Sequence, residues 1–137
     1  SCLAGFAIYN SNTGACHSMA YPLGIYHKVP HGVAVGLMIP LVVEINVAKG
    51  CEFYAELLDL IDGANCSGSP LEKSRRFSTM LKKYPPQKHL SQLGQFGITP
   101  DAVSVLSQKG LELTPALSNN PVDFNLEDAK NVLQQLV

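Results

Sequence analysis

The sequence predicts an all-α fold, a helical bundle, because apolar residues recur at helical spacing and no stretch alternates as a half-buried strand would. Hydrophobic residues make up 46% of the chain and charged residues only 15%. That composition supplies enough apolar surface to form a folded core and excludes a disordered chain. With 137 residues, the chain has the size of one domain.

The first helical pattern runs from the start of the sequence to about Ala20. It begins apolar and without a capping residue, as if the chain started partway along a buried helix. We therefore expect residues 1–137 to be one helical domain that is a fragment of a longer protein. Pro22, Gly24 and Pro30 are predicted to interrupt the backbone after this helix.

A second helix is predicted to begin at His31 and to end near Gly50, with a kink at Pro40. It is apolar on nearly all sides, which is typical of a helix buried on most sides. Gly32 and Gly36 within it favour close packing against a neighbour.

Helical spacing recurs over residues 51–62, closed by Gly63, and over residues 70–83, closed by the prolines at positions 85 and 86. Thr99 and Asn125 each precede a helical pattern with acidic residues in its first turn. Both are predicted N-caps.

Composition narrows the range of partners and compartments. A net charge of −1 gives no basic footprint for nucleic acid or an anionic membrane. The longest charge-free apolar run, Val33 to Val43, has 11 residues and is too short to span a bilayer. The four cysteines have no metal-site or disulfide-framework spacing, so we expect reduced thiols and a cytoplasmic protein.

Two histidines are the candidates for chemistry. His17 and His31 are fourteen residues apart, which is about 21 Å along one straight helix and too far to share a metal ion. The predicted breaks would let His17, near the end of one helix, face His31 at the start of the next. The positive end of the second helix would keep the His31 ring neutral and able to bind metal.

The same two histidines could instead be hydrogen-bonded structural residues between apolar helices. A protein metal site needs three or four ligands, and no carboxylate lies four residues before any histidine. The chain therefore cannot be expected to complete a site by itself.

Three motifs together resemble the iron-containing (group III) alcohol dehydrogenases, which have a dehydroquinate-synthase-like helical domain. They are Gly14-x-x-His17-x-Met19-Ala20-x-Pro22-Leu23-Gly24, Pro30-His31-Gly32-Val33-Ala34 followed by Pro40, and Asn119-Asn120-Pro121 before the last helix. The resemblance spans the chain and is most specific in its first third.

This resemblance implies that the chain is the carboxyl-terminal part of the family's metal-binding helical domain. The parent would also contain an amino-terminal nucleotide-binding domain and would bind Fe²⁺ or Zn²⁺, NAD or NADP, and a small alcohol or aldehyde. His17 and His31 would be the later pair of four metal ligands. The 137-residue fragment alone would be inactive, and the parent could be a homo-oligomer.

Further residues take roles from the same resemblance. Tyr21 stands where many family members have a histidine near the nicotinamide, and its phenol could donate a hydrogen bond. His27 is the alternative proton shuttle, although a surface position in a loop also fits it. Thr13 and Ala116 fall at positions that line the substrate pocket in the family.

Two other function classes remain open from sequence alone. One is a non-catalytic helical interaction module that descends from such an enzyme. The other is a zinc-binding helical protein outside the family.

Overall fold

A computed structural model describes residues 2–62, 67–83 and 93–137. Within these ranges the chain forms helices and no strand, which confirms the all-α prediction. The helices are α1 (Cys2–Ser11), α2 (Ala15–His27), α3 (His31–Ala48), α4 (Tyr54–Asp62), α5 (Pro70–Leu81), α6 (Val103–Leu111), α7 (Thr114–Leu117) and α8 (Leu126–Gln134). Short 3₁₀ turns at Leu93–Phe96 and Pro100–Ala102 precede α6.

The first predicted helix is in fact two helices. Asn12 adopts a left-handed conformation with φ of 57° and donates its backbone N–H to the Ile8 carbonyl, which ends α1. Asparagine tolerates this conformation better than most residues, so it can end a helix without glycine. None of the α1 residues is buried, whereas α2 lies in the core.

The predicted break at Pro22 and Gly24 was wrong, because α2 continues through both residues to His27. Proline removes one backbone donor from a helix and disfavours its interior. Here Met19, Ala20 and Leu23 on the same helix are almost completely buried. The apolar surface that they bury stabilises the continued helix despite Pro22.

The chain reverses direction at residues 28–30. Lys28 takes a left-handed conformation with φ of 59°, and its backbone N–H bonds to the Gly24 carbonyl at 3.2 Å. The next N–H, that of Val29, bonds to the Leu23 carbonyl at 3.3 Å. Buried Val29 is therefore held against α2, and the chain starts α3 beside the helix that it has just left.

Helix α3 begins at His31 as predicted, and Gly50 follows its end with φ of 92°. By length and composition α3 is the one helix in the described ranges able to cross a membrane, with mean hydropathy 1.7. Half of that stretch is nevertheless buried inside the protein. It packs against α2, α5 and α8, so it has the surroundings of a core helix.

The main core lies where α2, α3, α6 and α8 meet. Its largest fully buried side chains include Met19, Leu23, Met38 and Leu133. A smaller cluster of Val43, Val47, Leu58 and Phe77 joins α3 to α4 and α5. The bundle thus holds both ends of α3 in place.

The predicted caps differ in outcome. Asn125 accepts hydrogen bonds from the backbone N–H groups of Glu127 and Asp128, which confirms it as the N-cap of α8. Thr99 precedes a 3₁₀ turn, not an α-helix, and its side chain makes no capping hydrogen bond. Thr99 therefore occupies the predicted position before a helical turn, but its side chain does not cap that turn.

The predicted close packing at Gly32 and Gly36 was also wrong for the described residues. A Cβ atom built at either glycine meets no atom of the described chain within 4 Å. The helix ends predicted at Gly63 and at Pro85 and Pro86 lie outside the described residues, as does Cys66.

We predict that Lys28→Gly raises the free energy of unfolding by about 1 kcal/mol, because glycine relieves the left-handed strain at this position. The measurement is urea denaturation. Lys28→Ala is the matched control, since it removes the same charge but keeps the strain. Equal stability of the two variants would show that the conformation of Lys28 is not strained.

We predict that Gly110→Ala lowers the free energy of unfolding by about 1–3 kcal/mol, because the new methyl group overpacks the contact between α2 and α6. A Cβ at Gly110 would lie 2.6 Å from Sδ and 3.4 Å from Cα of buried Met19. Ser104→Ala, on the exposed side of the same helix, is the control and should change stability by less than about 0.5 kcal/mol. The measurement is urea denaturation. A Gly110→Ala variant as stable as the wild type would contradict the close approach of Gly110 to Met19.

Candidate metal centre

His17 lies in the first turn of α2. Gly14 precedes that helix with an extended backbone, and its carbonyl accepts hydrogen bonds from the N–H groups of His17 and Ser18 at 3.1 and 3.3 Å. The Ser18 hydroxyl donates to the Gly110 carbonyl on α6 and is fully buried. The prediction that His17 lies near the end of its helix was therefore wrong, since the helix starts only two residues earlier.

His31 is the first residue of α3. The Pro30 carbonyl begins that helix by accepting from the N–H groups of Val33 and Ala34 at 2.9 and 3.0 Å. Because the reversal at residues 28–30 leads the chain back along α2, this first residue lies beside the early part of α2. His31 thus lies at a helix start, as predicted.

The two imidazole rings come together. Their centroids are 5.3 Å apart and their planes are inclined by 51°. Two imidazoles bound to one tetrahedral ion through nitrogens at about 2.1 Å would have centroids about 5 Å apart, which is close to this spacing. The centroid spacing is therefore compatible with a metal ion shared by the two rings.

Burial lowers the pKa of His17 below its ordinary value of 6.5, and the neighbouring His31 lowers the pKa further by like-charge repulsion. A lowered pKa favours the neutral ring, which is the form that binds metal. The folded protein thus binds this proton less tightly than the unfolded chain. The contribution of His17 to stability is complete above pH 6.5 and decreases as the pH falls below that value.

Tyr21 completes a group of three rings. It lies one helical turn after His17 on the same face of α2, and its ring centroid is 5.8 Å from that of His31, at an interplanar angle of 35°. Tyr21 is 44% exposed. The His31 ring thus contacts two aromatic side chains of α2.

Cys16 is next to His17 in sequence but is not placed as a ligand. Neighbouring residues on a helix do not share a face, so Cys16 points away from the side of α2 that carries His17. Burial also raises the pKa of the Cys16 thiol to about 12. This agrees with a packing role for Cys16, which contacts the main core.

The other candidate residues are more scattered. His27 ends α2, ten residues after His17 and therefore about 15 Å along the helix, and it makes no ring contact within the described residues. Thr13 lies in the connection before α2, and Ala116 lies in α7, which packs against α2. Thr13 and Ala116 are both partly buried. Their roles at the substrate stay predictions.

The described part of the chain contains no group of three or more His, Cys, Asp or Glu side chains placed to hold a metal ion. The pair of histidines alone provides fewer donors than the three or four that a protein metal site usually has.

A pair of amide side chains, buried Asn46 and partly buried Asn120, braces α3 and was missed by sequence reasoning. The Asn120 amide donates to the Asn46 carbonyl oxygen at 2.9 Å, and the Asn46 amide donates to the Tyr54 hydroxyl at 2.8 Å. A Cβ at Gly14 would lie 3.6 Å from the Asn120 side-chain oxygen. Asn120 thus binds α3 through Asn46 and lies beside Gly14, just before the start of α2. The sequence offered two separate signals, the uncharged polar Asn46 in an apolar helix and the Asn119-Asn120-Pro121 motif, but nothing that joined them.

The comparisons with known proteins agree on one family. The family model described as "Fe-containing alcohol dehydrogenase family, C-terminal" matches residues 1–137. The chain is 26% identical over 144 residues to the NADPH-dependent butanol dehydrogenase of Clostridium saccharobutylicum, with 97% of this chain and 35% of that protein covered. It is 40% identical over 100 residues to the 1,3-propanediol dehydrogenase of Klebsiella pneumoniae, with 69% and 25% covered.

A solved structure is similar as well. The crystal structure of a 1,3-propanediol oxidoreductase superposes with a TM-score of 0.82 at 26% identity, and the match covers 97% of this chain and 35% of that one. This chain therefore spans about a third of the length of these proteins.

The described residues form an all-α domain in which two histidines at neighbouring helix starts lie side by side. The chain belongs to the Fe-containing alcohol dehydrogenase family and matches its carboxyl-terminal domain. Membership of this family excludes the alternative of a zinc-binding helical protein outside it.

We predict that His31→Ala raises the pKa of His17 in metal-free protein, because it removes the like charge that lowers it. The pKa should stay below 6.5, since burial, the larger cause, is retained. The measurement is NMR titration of the imidazole Cε1–H signals after chelator treatment. His27→Ala is the control and should leave the pKa of His17 unchanged. If His31→Ala also leaves the pKa of His17 unchanged, the two rings do not interact.

Proposed function

We propose that this chain is the carboxyl-terminal part of a metal-dependent, NAD(P)-linked alcohol dehydrogenase in which His17 and His31 are two ligands of a catalytic divalent metal, Fe²⁺ or Zn²⁺. The observation that carries the proposal is the 5.3 Å separation of the two imidazole centroids. Family membership supplies the reaction class, oxidation of an alcohol or reduction of an aldehyde.

The remaining ligands and the nucleotide site are proposed to lie in a preceding part of the complete protein. Two facts support this. The described residues bring no third donor of the four residue types to the pair, and the chain spans only about a third of its relatives. We therefore expect the 137-residue chain alone to be inactive, and the complete protein to be a cytoplasmic enzyme that could assemble as a homo-oligomer.

When bound, the metal would supply Lewis-acid chemistry to the oxygen of a small alcohol or aldehyde during hydride exchange with the nicotinamide. The residues of this chain would bind the metal and orient the substrate. His17 and His31 hold the metal through neutral rings, and the pKa of His17 lies below its ordinary value. Tyr21, partly exposed beside His31, has a hydroxyl with no hydrogen-bond partner in the described ranges and is free to donate one to substrate.

The substrate class follows from the family and from the small residues at the proposed pocket. The two relatives named above are a butanol dehydrogenase and a 1,3-propanediol dehydrogenase. We propose a small alcohol or aldehyde as substrate, with Thr13 and Ala116 near it and His27 as an alternative proton shuttle.

The test uses the complete protein, with His17→Ala and His31→Ala as variants. Each variant should lose the bound divalent metal. The rate of alcohol-dependent NAD(P) reduction should fall by at least about 100-fold, because loss of a ligand should lower activity more than loss of a group that supports a ligand. Metal content is measured by elemental analysis and turnover by nicotinamide absorbance.

His27→Ala is the control for metal content and should keep its metal, because no ring contact places His27 at the pair. A stoichiometric metal together with normal turnover in either ligand variant would refute the assignment. A wild-type protein that binds neither metal nor nicotinamide would instead identify a non-catalytic helical module.

A further inference from the structure

We propose that Tyr21 is a positioning residue of the metal centre, whose ring packs against the His31 imidazole and holds it in the orientation in which it meets a metal shared with His17. The proposal rests on the proposed function and adds to it a residue that acts through a ligand.

The contacts of His31 carry the argument. Its ring centroid lies 5.3 Å from that of His17 and 5.8 Å from that of Tyr21. His17 and Tyr21 are one turn apart on α2, so their side chains present neighbouring rings on one face. Both distances are within the range of direct aromatic packing, in which tilted rings prefer particular relative orientations.

Other means of orienting His31 are missing in the described ranges. A histidine ligand usually donates its second ring N–H to a carboxylate, a backbone carbonyl or water, which fixes the ring. The His31 ring has no hydrogen bond to any described residue, although its backbone is fixed at the start of α3. Within the described residues, the rings of His17 and Tyr21 are therefore the ring contacts available to orient the exposed His31 side chain.

The ring of Tyr21, not its hydroxyl, is the part that this role needs. The side chain is 44% exposed, and its hydroxyl has no hydrogen-bond partner within the described residues. Phenylalanine at this position would keep the packing surface against His31. Alanine would remove it without opening a cavity in the core, because the side chain is only partly buried.

The experiment measures the Zn²⁺ dissociation constant of the complete protein by competition with a chromophoric chelator. Tyr21→Ala should bind Zn²⁺ about tenfold more weakly, as expected when a group that orients a ligand is lost. Tyr21→Phe should bind Zn²⁺ within about twofold of the wild type, because phenylalanine keeps the aromatic ring that packs against His31. Tyr26→Ala, which removes another exposed tyrosine of α2, is the matched control and should leave the affinity unchanged.

A second measurement needs no metal. In chelator-treated protein, the NMR signals of the His31 ring protons should shift in Tyr21→Ala, because the ring current of Tyr21 is lost, and should move much less in Tyr21→Phe. The backbone amide spectrum outside α2 and α3 should remain that of the wild type in both variants.

The possible results separate the two proposals. Wild-type affinity in Tyr21→Ala, with His31→Ala deficient in Zn²⁺ binding, would overturn the role of Tyr21 and leave the ligand assignment standing. An equal loss of affinity in Tyr21→Phe and Tyr21→Ala would assign the effect to the hydroxyl and overturn packing as the cause. Wild-type Zn²⁺ affinity in His31→Ala would overturn the ligand assignment and, with it, this proposal.

Discussion

The reversal of the chain at residues 28–30 is the constraint on which the candidate site depends. Two backbone hydrogen bonds, from Lys28 to Gly24 and from Val29 to Leu23, fold the connection back onto α2. Buried Val29 adds an apolar contact to the same turn. Without this turn, His31 would continue away from His17, and the two rings would be separated by much of the length of α2.

The rest of the bundle fixes the two helices that the turn connects. Helix α2 is held by the Ser18 contact with α6 and by the close approach of Gly110 to Met19. Helix α3 is held by the apolar clusters along its length and by the amide pair of Asn46 and Asn120. Rigid helices position functional side chains more precisely than loops do, and both histidines lie in first turns of such helices.

Sequence reasoning found the fold class, the start of α3 and the cap at Asn125, because each has a local signal in spacing or residue type. It also predicted that His17 and His31 approach each other, although the reversal lies at residues 28–30 and not at Pro22 and Gly24. It failed at Pro22 and Gly24, where burial of the neighbouring side chains overrides the local preference against a helix. It also failed at Lys28, since a lysine in left-handed conformation has no local signature and is imposed by the packing of the connection. The partnership of Asn46 and Asn120 joins residues 74 positions apart and needed the fold.

The most direct test of the account is a crystal structure of the complete protein loaded with Zn²⁺, with the ion located by anomalous scattering. The account predicts one ion with a ring nitrogen of His17 and a ring nitrogen of His31 each at about 2.1 Å, and with the other ligands from outside this chain. An ion bound elsewhere, or one that only one of the two rings reaches, would contradict it.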